Sequence, residues 1–363
     1  MQSLLSILGV ILGFGVVIFV HEMGHFLVAK KMNMKVERFS FGLGPEAIGF
    51  QWGETRYCLA WIPLGGEVRL AGEMPGEETD PALANDPRAF FVQPWYRRVP
   101  VVLAGPAMNY VWSTLIFAFV IGFWGEPIVS QAPVIGGLLS GMPAQVAGLQ
   151  IEDQLLKIND APISSWNQAA EMIRLHPGQT LDLKIRRGSE ELELNLTPKP
   201  DPTRNGVGVV GITPKTEFVH VRASQALWKG AQQTYYWNLF TLRYLKDKIV
   251  HHERPDISGP IGIAQVVAKA AHAGWEDFLF LIGMISVGVG LFNLFPIPLL
   301  DGGHLAFYLI EGALKRPLKP RSIQRANAVG LSLILALLLF ATYNDIERLR
   351  GNATPAPAAH KTP

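Results

Sequence analysis

Four stretches of this chain are long and apolar enough to cross a bilayer, which takes about 20 residues of helix. They run roughly over 3–25, 100–124, 277–300 and 322–343. A backbone in hydrocarbon has no water to pair with, so each stretch must form a helix and the chain must fold as a helical bundle. Hydrophobic residues make up 49% of the 363 and charged residues 17%, with a mean hydropathy of +0.21, high for a soluble protein of this size. The formal net charge of +2 is too small to point to nucleic acid as a partner. The single cysteine, Cys58, excludes an intrachain disulfide framework and a Cys-rich metal site. It reads as a small strand residue in the core. A cleaved secretory leader needs a basic start and a small-residue cleavage site. No Lys or Arg precedes Lys30, so residues 3–29 read as a retained span.

Basic residues in short loops set the orientation. The loop between spans one and two carries nine Lys/Arg, from Lys30 to Arg98, and the loop between spans three and four carries five. The N-terminal end has none and the C-terminal tail three. Both basic loops are therefore expected in the cytoplasm and both termini outside. The long segment between spans two and three translocates regardless of its charge. Spans one and three then run in the same direction, and their cytoplasmic ends lie at similar depth.

Those two ends carry the chemistry. His21-Glu22-Met23-Gly24-His25 closes the first span. Residues i and i+4 share one helix face, so two imidazoles can bind one tetrahedral zinc at about 2.0–2.1 Å. Glu22, beside the first of them, is placed to act on the attacking water and not as a ligand. The third span ends at Asp301, the first charge after a long uncharged run, and an ionisable residue there is a functional candidate by default. A catalytic zinc takes three protein ligands; His21, His25 and Asp301 supply two nitrogens and one oxygen. Capping of the helix HLAFYLIEGAL by Asp301 is compatible with ligation. Gly302 and Gly303 allow a turn or a close backbone approach.

The remaining segments divide as follows. Residues 1–126 hold the first two spans, and 36–71 read as short strands in a small sheet at the cytoplasmic membrane face. Residues 72–96 are polar and Pro-rich, hence a loop. Residues 127–216 form a separate module with alternating strands LDLKIRRG and ELELNLTP. Small residues before Ala147-Gly148-Leu149, followed by Asp153-x-Leu155-Leu156-x-Ile158-Asn159, make it resemble a PDZ domain. Such domains capture an extended chain as an added strand; the alternative is a spacer. In 217–255, a helix over 223–250 places Leu227, Ala231, Tyr235, Leu239, Leu242, Leu245 and Ile249 on one face. It is expected to lie amphipathically in the outer interface, with Trp228, Tyr236 and Trp237 at headgroup level. Ser258-Gly259-Pro260 turns toward the last two spans, within 256–350, and 351–363 reads as a disordered tail.

Taken together, HEMGH at 21–25, PLGG at 63–66, AGPAMN at 104–109, SGPIGIA at 258–264 and NLFPIPLLDGGH at 293–304 resemble the site-2 proteases. These are intramembrane zinc metalloproteases, and the likeness is to their bacterial RseP-like branch. It spans residues 3 to about 350. The fold class expected is a polytopic α-helical membrane protein of about four transmembrane helices, with a small cytoplasmic-face β-sheet or hairpin and one extracytoplasmic PDZ domain of α+β type. The resemblance implies Zn²⁺ as cofactor, the lipid bilayer as medium and transmembrane-segment proteins as substrates. Examples are an anti-sigma factor already cut once, or leftover signal peptides. It implies an inner-membrane location with the PDZ domain periplasmic, where a peptide or substrate ectodomain would meet it. It also implies that Asn109 and Asn293 lie near the zinc or on the substrate backbone. Gly65, Gly66, Glu67 and Val68 would belong to a membrane-dipping hairpin that offers a strand edge to substrate. Gly288 stands where many members carry Asn, and one PDZ module fits where some have two. A membrane-anchored enzyme with its site in a soluble domain would need a third ligand soon after residue 25, and 26–80 contain no His. A non-catalytic PDZ scaffold or chaperone would not need the intact Glu22.

Overall fold

The computed structural model describes residues 2–73, 83, 85–201, 206–251 and 258–350. The tail at 351–363 and residues 74–82 and 84 of the expected polar loop lie outside them, as do 252–257. The chain forms two compact units, Met1–Gly122 with Arg222–Ala359, and Phe123–Val221. Four helices in the first unit are long and apolar enough to cross a membrane.

Helix α1 runs Gln2–Lys31, with Lys30 and Lys31 in its last turn, where cations suit the carbonyl end of the dipole. The His-Glu-x-x-His motif therefore sits inside this helix and not at its end as expected. Two long strands follow, β1 (Val36–Trp52) and β2 (Thr55–Leu70), in place of several short ones. Both bend and fold back on each other. Phe39, Ser40 and Phe41 have Val68, Glu67 and Gly66 as partners on one side and Tyr57, Cys58 and Leu59 on the other. Phe50, Gln51 and Trp52 pair with Tyr57, Arg56 and Thr55. Segment 66–70 is thus an outer strand. Cys58 is a buried free thiol in this sheet, as the sequence suggests. Helix α2 (Trp95–Trp124) takes in Arg97 and Arg98 ahead of the apolar run.

The inserted unit begins with β3 (Glu126–Val129) and β4 (Ile135–Leu138), then the single turn α3 (Pro143–Val146). Strands β5 (Gln154–Ile158) and β6 (Ala161–Pro162) precede helix α4 (Trp166–Leu175), whose N-cap Ser165 accepts from the Gln168 amide. Strands β7 (Leu181–Arg187) and β8 (Glu190–Leu196) complete a four-stranded sheet in the order β6-β5-β7-β8. Leu181, Leu183 and Ile185 alternate inward, which is the period of two that the sequence displays. Buried Asp153 forks onto Arg187 at 2.7 and 2.8 Å. Strands β9 (Lys199–Asp201), β10 (Val207–Val209), β11 (Ile212–Pro214) and β12 (Thr216–Val219) finish the unit. Because β12 pairs with β3, the module closes outside the expected limits of 127 and 216.

Helix α5 (Ala223–Val250) has the expected length, and the face it buries is not the apolar stripe but a second one made mostly of small residues. Ala226, Gly230, Thr234 and Trp237 are its buried residues, while Leu227, Tyr235 and Ile249 are exposed. The inward face packs on α2. A Cβ at Gly230 would lie 2.5 Å from the Thr114 carbonyl, Thr234 Oγ1 pairs with Ser113 and Thr114, and Asn238 donates to the Tyr110 hydroxyl. Trp237, expected at headgroup level, is buried against Phe117 and Val287. Small residues let helices approach where lipid offers no hydrophobic drive, so the larger apolar side chains face outward.

A further helix, α6 (Pro260–Ala273), occupies what reads in sequence as a turn leading to the third span. It has Pro in its first turn and Gly274 as its C-cap. Helix α7 (Trp275–Asn293) then ends well before residue 300. Pro296 and Pro298 cannot continue a helix. Residues 294–300 form an apolar loop, with Leu299 at φ 79°, a conformation L residues rarely take. Asp301 opens helix α8 (Asp301–Leu314), and α9 (Pro320–Leu349) is the last span. Asp345 is buried within α9 and accepts from the amides of Gly259 and Gly262 at 3.0 and 2.8 Å. It ties the start of α6 to α9. Asp345→Ala should strand both buried amides and cost about 2–4 kcal/mol, with Asp345→Asn losing less. The unfolding midpoint of the full-length protein in detergent measures this, and an unchanged midpoint would remove the latch from the account.

Candidate metal centre

His21 and His25 project from one face of α1 toward the first residue of α8. His21 Nε2 lies 3.0 Å and His25 Nε2 3.5 Å from Asp301 Oδ2, and the two nitrogens are 3.2 Å apart. The three donor atoms all fall within 4.8 Å of one another. Two residues from α1 and one from α8 are thereby brought to one point.

The far side of each ring is held. His25 Nδ1 donates to the Val101 carbonyl at 2.8 Å, which leaves the Nε2 lone pair facing Asp301. His21 Nδ1 lies 3.1 Å from the side-chain amide of fully buried Asn109. The two ends of an amide are interchangeable by a flip. With Oδ1 turned to His21, Asn109 accepts the Nδ1 proton and the second Nε2 lone pair is also freed. As drawn, Asn109 Oδ1 and Asp301 Oδ2 are buried with no hydrogen-bond partner among the described residues. A divalent cation among the two imidazoles and the carboxylate satisfies the latter, and the donor set of two nitrogens and one oxygen suits zinc.

Glycines bring the backbones close enough for this. A Cβ at Gly105 would stand 2.3 Å from His25 Nε2 and 2.8 Å from His21 Cε1. One at Gly24 would stand 2.2 Å from the Ala104 carbonyl. The glycine inside the His-Glu-x-x-His motif is thus the contact point of α1 on α2. Gly302 and Gly303 meet the carbonyls of Phe295 and Ile297 at 2.2 and 2.4 Å by the same measure, which seats α8 on the 294–300 loop. The other end of α8 is fixed by an ion pair between Arg98 and buried Glu311, with the guanidinium 4.4 Å over the Tyr308 ring.

A cavity of about 560 Å³ opens beside the centre. His21, Glu22, His25, Val68, Leu70, Asn293, Asp301 and His304 are among its walls. Of the residues singled out in sequence, Asn293 and Val68 face it. Gly66 lies against Glu22, where a Cβ would be 3.0 Å from Glu22 Cγ, and the Val68 backbone hydrogen-bonds the Glu22 carboxylate. Asn109 sits behind His21 and does not line the cavity. Glu67 points the other way, 3.8 Å from Arg38, and Gly65 marks a bend at φ 98°. Alternation along a strand accounts for this, since 66, 68 and 70 share a side that 67 does not. Gly288 has open space among the described residues where a Cβ would be. His304 is the wall residue that sequence reasoning passed over, and its i+3 spacing from Asp301 was the signal available.

The description of peptidase family M50 matches residues 9–337. The chain belongs to that family, the site-2 proteases, a class of zinc metalloproteases. A Rickettsia conorii protein provisionally named a zinc metalloprotease is 32% identical, with 95% of this chain and 99% of that one covered. An Agrobacterium fabrum protein with the same kind of name is 33% identical, covering 94% and 95%. The zinc metalloprotease RasP of Geobacillus kaustophilus is 28% identical over 96% of this chain and 99% of its own. Among solved structures, the PDZ domain of an SdrC-like protein from Listeria monocytogenes aligns with 24% of this chain and 90% of its own, at 17% identity and a TM-score of 0.21.

Gly105→Ala is expected to push the imidazoles apart and weaken zinc binding by roughly 10–100-fold. Competition with a chromophoric chelator reads the change, and an affinity equal to wild type would show that the rings have room to spare.

Proposed function

We propose that this protein is an intramembrane zinc endopeptidase that cuts transmembrane segments of other proteins. The observation that carries the reading is the position of Glu22, between the His21, His25 and Asp301 cluster and the outer strand 66–70. His21, His25 and Asp301 would hold the metal. Bound zinc would supply a Lewis acid and lower the pKa of a water toward 7. Glu22 takes the proton of the attacking water and delivers it to the leaving nitrogen. The carbonyl carbon gains the water oxygen and the peptide C–N bond breaks. The hydrogen bond from Val68 aims the Glu22 carboxylate.

A helix in lipid must open before its carbonyl can be attacked, and each unpaired backbone group there costs several kcal/mol. Strand 66–70, with the sheet on one side only, offers Gly66 and Val68 backbone groups to an opened segment as an added strand. Asn293, on the cavity wall, is placed to hold the substrate backbone. Substrates of this kind include an anti-sigma factor shortened by an earlier cut and remnant signal peptides. The inserted module is assigned a PDZ role toward a peptide or ectodomain on the outer side of an inner membrane, because the basic short loops are retained in the cytoplasm.

Glu22→Gln should lose cleavage of a transmembrane substrate while one zinc per chain remains. His21→Ala and Asp301→Ala should lose both. Turnover near wild type in the Glu22 variant, with substrate and product resolved by mass, would remove Glu22 as the base.

The orientation has its own test at Ser189, exposed at the tip of the β7–β8 hairpin. With Cys58 buried, Ser189→Cys should be the reactive thiol and should label with an impermeant reagent on intact cells. Labelling that needs lysis would invert the topology.

A further inference from the structure

His304 lies one turn beyond Asp301 on α8, so the two side chains share a helix face. It lines the same cavity as Glu22, Val68 and Asn293. Its ring is flanked by Phe307 and Tyr308, with centroids at 6.1 and 6.4 Å, and these aromatic neighbours limit its rotation. Tyr308 is itself fixed by the Arg98 guanidinium above it.

Every other histidine of the centre has its polar atoms engaged. His21 has one nitrogen on Asn109 and turns the other into the donor cluster with His25 and Asp301. His25 divides its nitrogens between the Val101 carbonyl and Asp301. No side-chain hydrogen bond joins His304 to any of the described residues, and its ring nitrogens are not among the buried atoms without partners. A half-buried imidazole that lines a cavity and has no side-chain hydrogen bond to the described residues finds its partner in what fills that cavity.

The peptidase reading creates one demand that no residue yet meets. Attack on a peptide carbonyl places negative charge on its oxygen, and a fixed donor aimed at that oxygen stabilises the transition state more than the ground state. Glu22 is an acceptor on the water side. The backbone of strand 66–70 is committed to holding the extended segment. Asn109 is turned to His21. Asn293, His304 and Tyr308 are the side-chain donors left on the wall; Tyr308 is buried beneath the Arg98 guanidinium, and His304 is the one a single turn from Asp301.

We propose that His304 donates a hydrogen bond from its ring N–H to the scissile carbonyl oxygen as charge develops there, which makes it a catalytic residue of this centre beside Glu22. The proton stays on nitrogen and no bond to His304 is made or broken. The inference rests on the peptidase function proposed above.

The test compares His304→Gln, which keeps an N–H donor, with His304→Phe, which keeps the aromatic packing but not the donor. Both are full-length proteins assayed in detergent on one transmembrane substrate, beside Glu22→Gln. His304→Phe should lower kcat on the order of 10²–10³-fold, the usual loss for one such donor, with KM within about threefold. Zinc content should stay at the wild-type level. A phosphonamidate peptide, whose tetrahedral oxygens imitate the transition state, should bind more weakly by a similar factor, and His304→Gln should recover part of both losses. A kcat within threefold of wild type in His304→Phe overturns the assignment. So does a loss confined to KM, or a loss of zinc that accounts for the lost activity. The two levels separate cleanly. If Glu22→Gln cleaves normally, the peptidase reading itself fails; if only the His304 variants behave as wild type, that reading stands and this residue leaves it.

Discussion

The close contact of α1 with α2 at Gly24 and Gly105 is what the rest of the molecule is arranged to keep. Helices in lipid are not driven together by burial of apolar surface, so they meet where small residues let backbones touch. Here the contact point coincides with the imidazole pair. Gly24 presses on the Ala104 carbonyl one residue before His25, and Gly105 leaves just the space the two rings fill. The same device recurs where Gly302 and Gly303 rest on the 294–300 loop and where Gly230 rests on Thr114. Side chains that would otherwise separate the helices are absent at each place where chemistry needs them close.

Buried polar groups then fix what the glycines bring together. Asn109 holds His21, the Val101 carbonyl holds His25, and Arg98 with Glu311 anchors the far end of α8. Asp345 does the same for α6 at a distance from the centre. Each of these groups would be costly in an apolar bundle without its partner, and each has one. The positive φ of Leu299, a conformation that costs of order 1–3 kcal/mol, belongs to the same account. It turns the chain so that Asp301 begins its helix facing the two histidines.

The parts of this architecture that depend on local pattern could be read from sequence. Twenty uncharged residues make a span, and two histidines four apart share a face; both follow from helix geometry alone. The errors arise where neighbours decide. The run to residue 300 is apolar throughout, yet Pro296 and Pro298 split it into a helix and a loop, and apolarity hid the break. On α5, the stripe of Leu227, Tyr235 and Ile249 was legible, but the face that packs on α2 was not. Gly230 and Thr234 face the bundle, as small residues do in lipid. Asn109 was singled out by the resemblance alone, and that its partner is His21 and not substrate depends on how α1 and α2 cross. His304 was passed over because a third histidine beyond a complete ligand set asks for no explanation until the cavity it faces is known.

The distribution of the donors along the chain has a consequence for biosynthesis. His21, Glu22 and His25 leave the ribosome near the start of translation, and Asp301 only after the inserted unit, α5, α6 and α7 have been made. At about 5–20 residues per second the interval is on the order of tens of seconds. During that time the nascent chain holds His21, Glu22 and His25 without Asp301, the third member of the donor cluster. The hydrolytic centre comes into being only when the penultimate span is in place and the 294–300 loop has turned. A truncated or stalled product therefore carries no complete centre, and the order of the sequence itself keeps an unfinished protease inert.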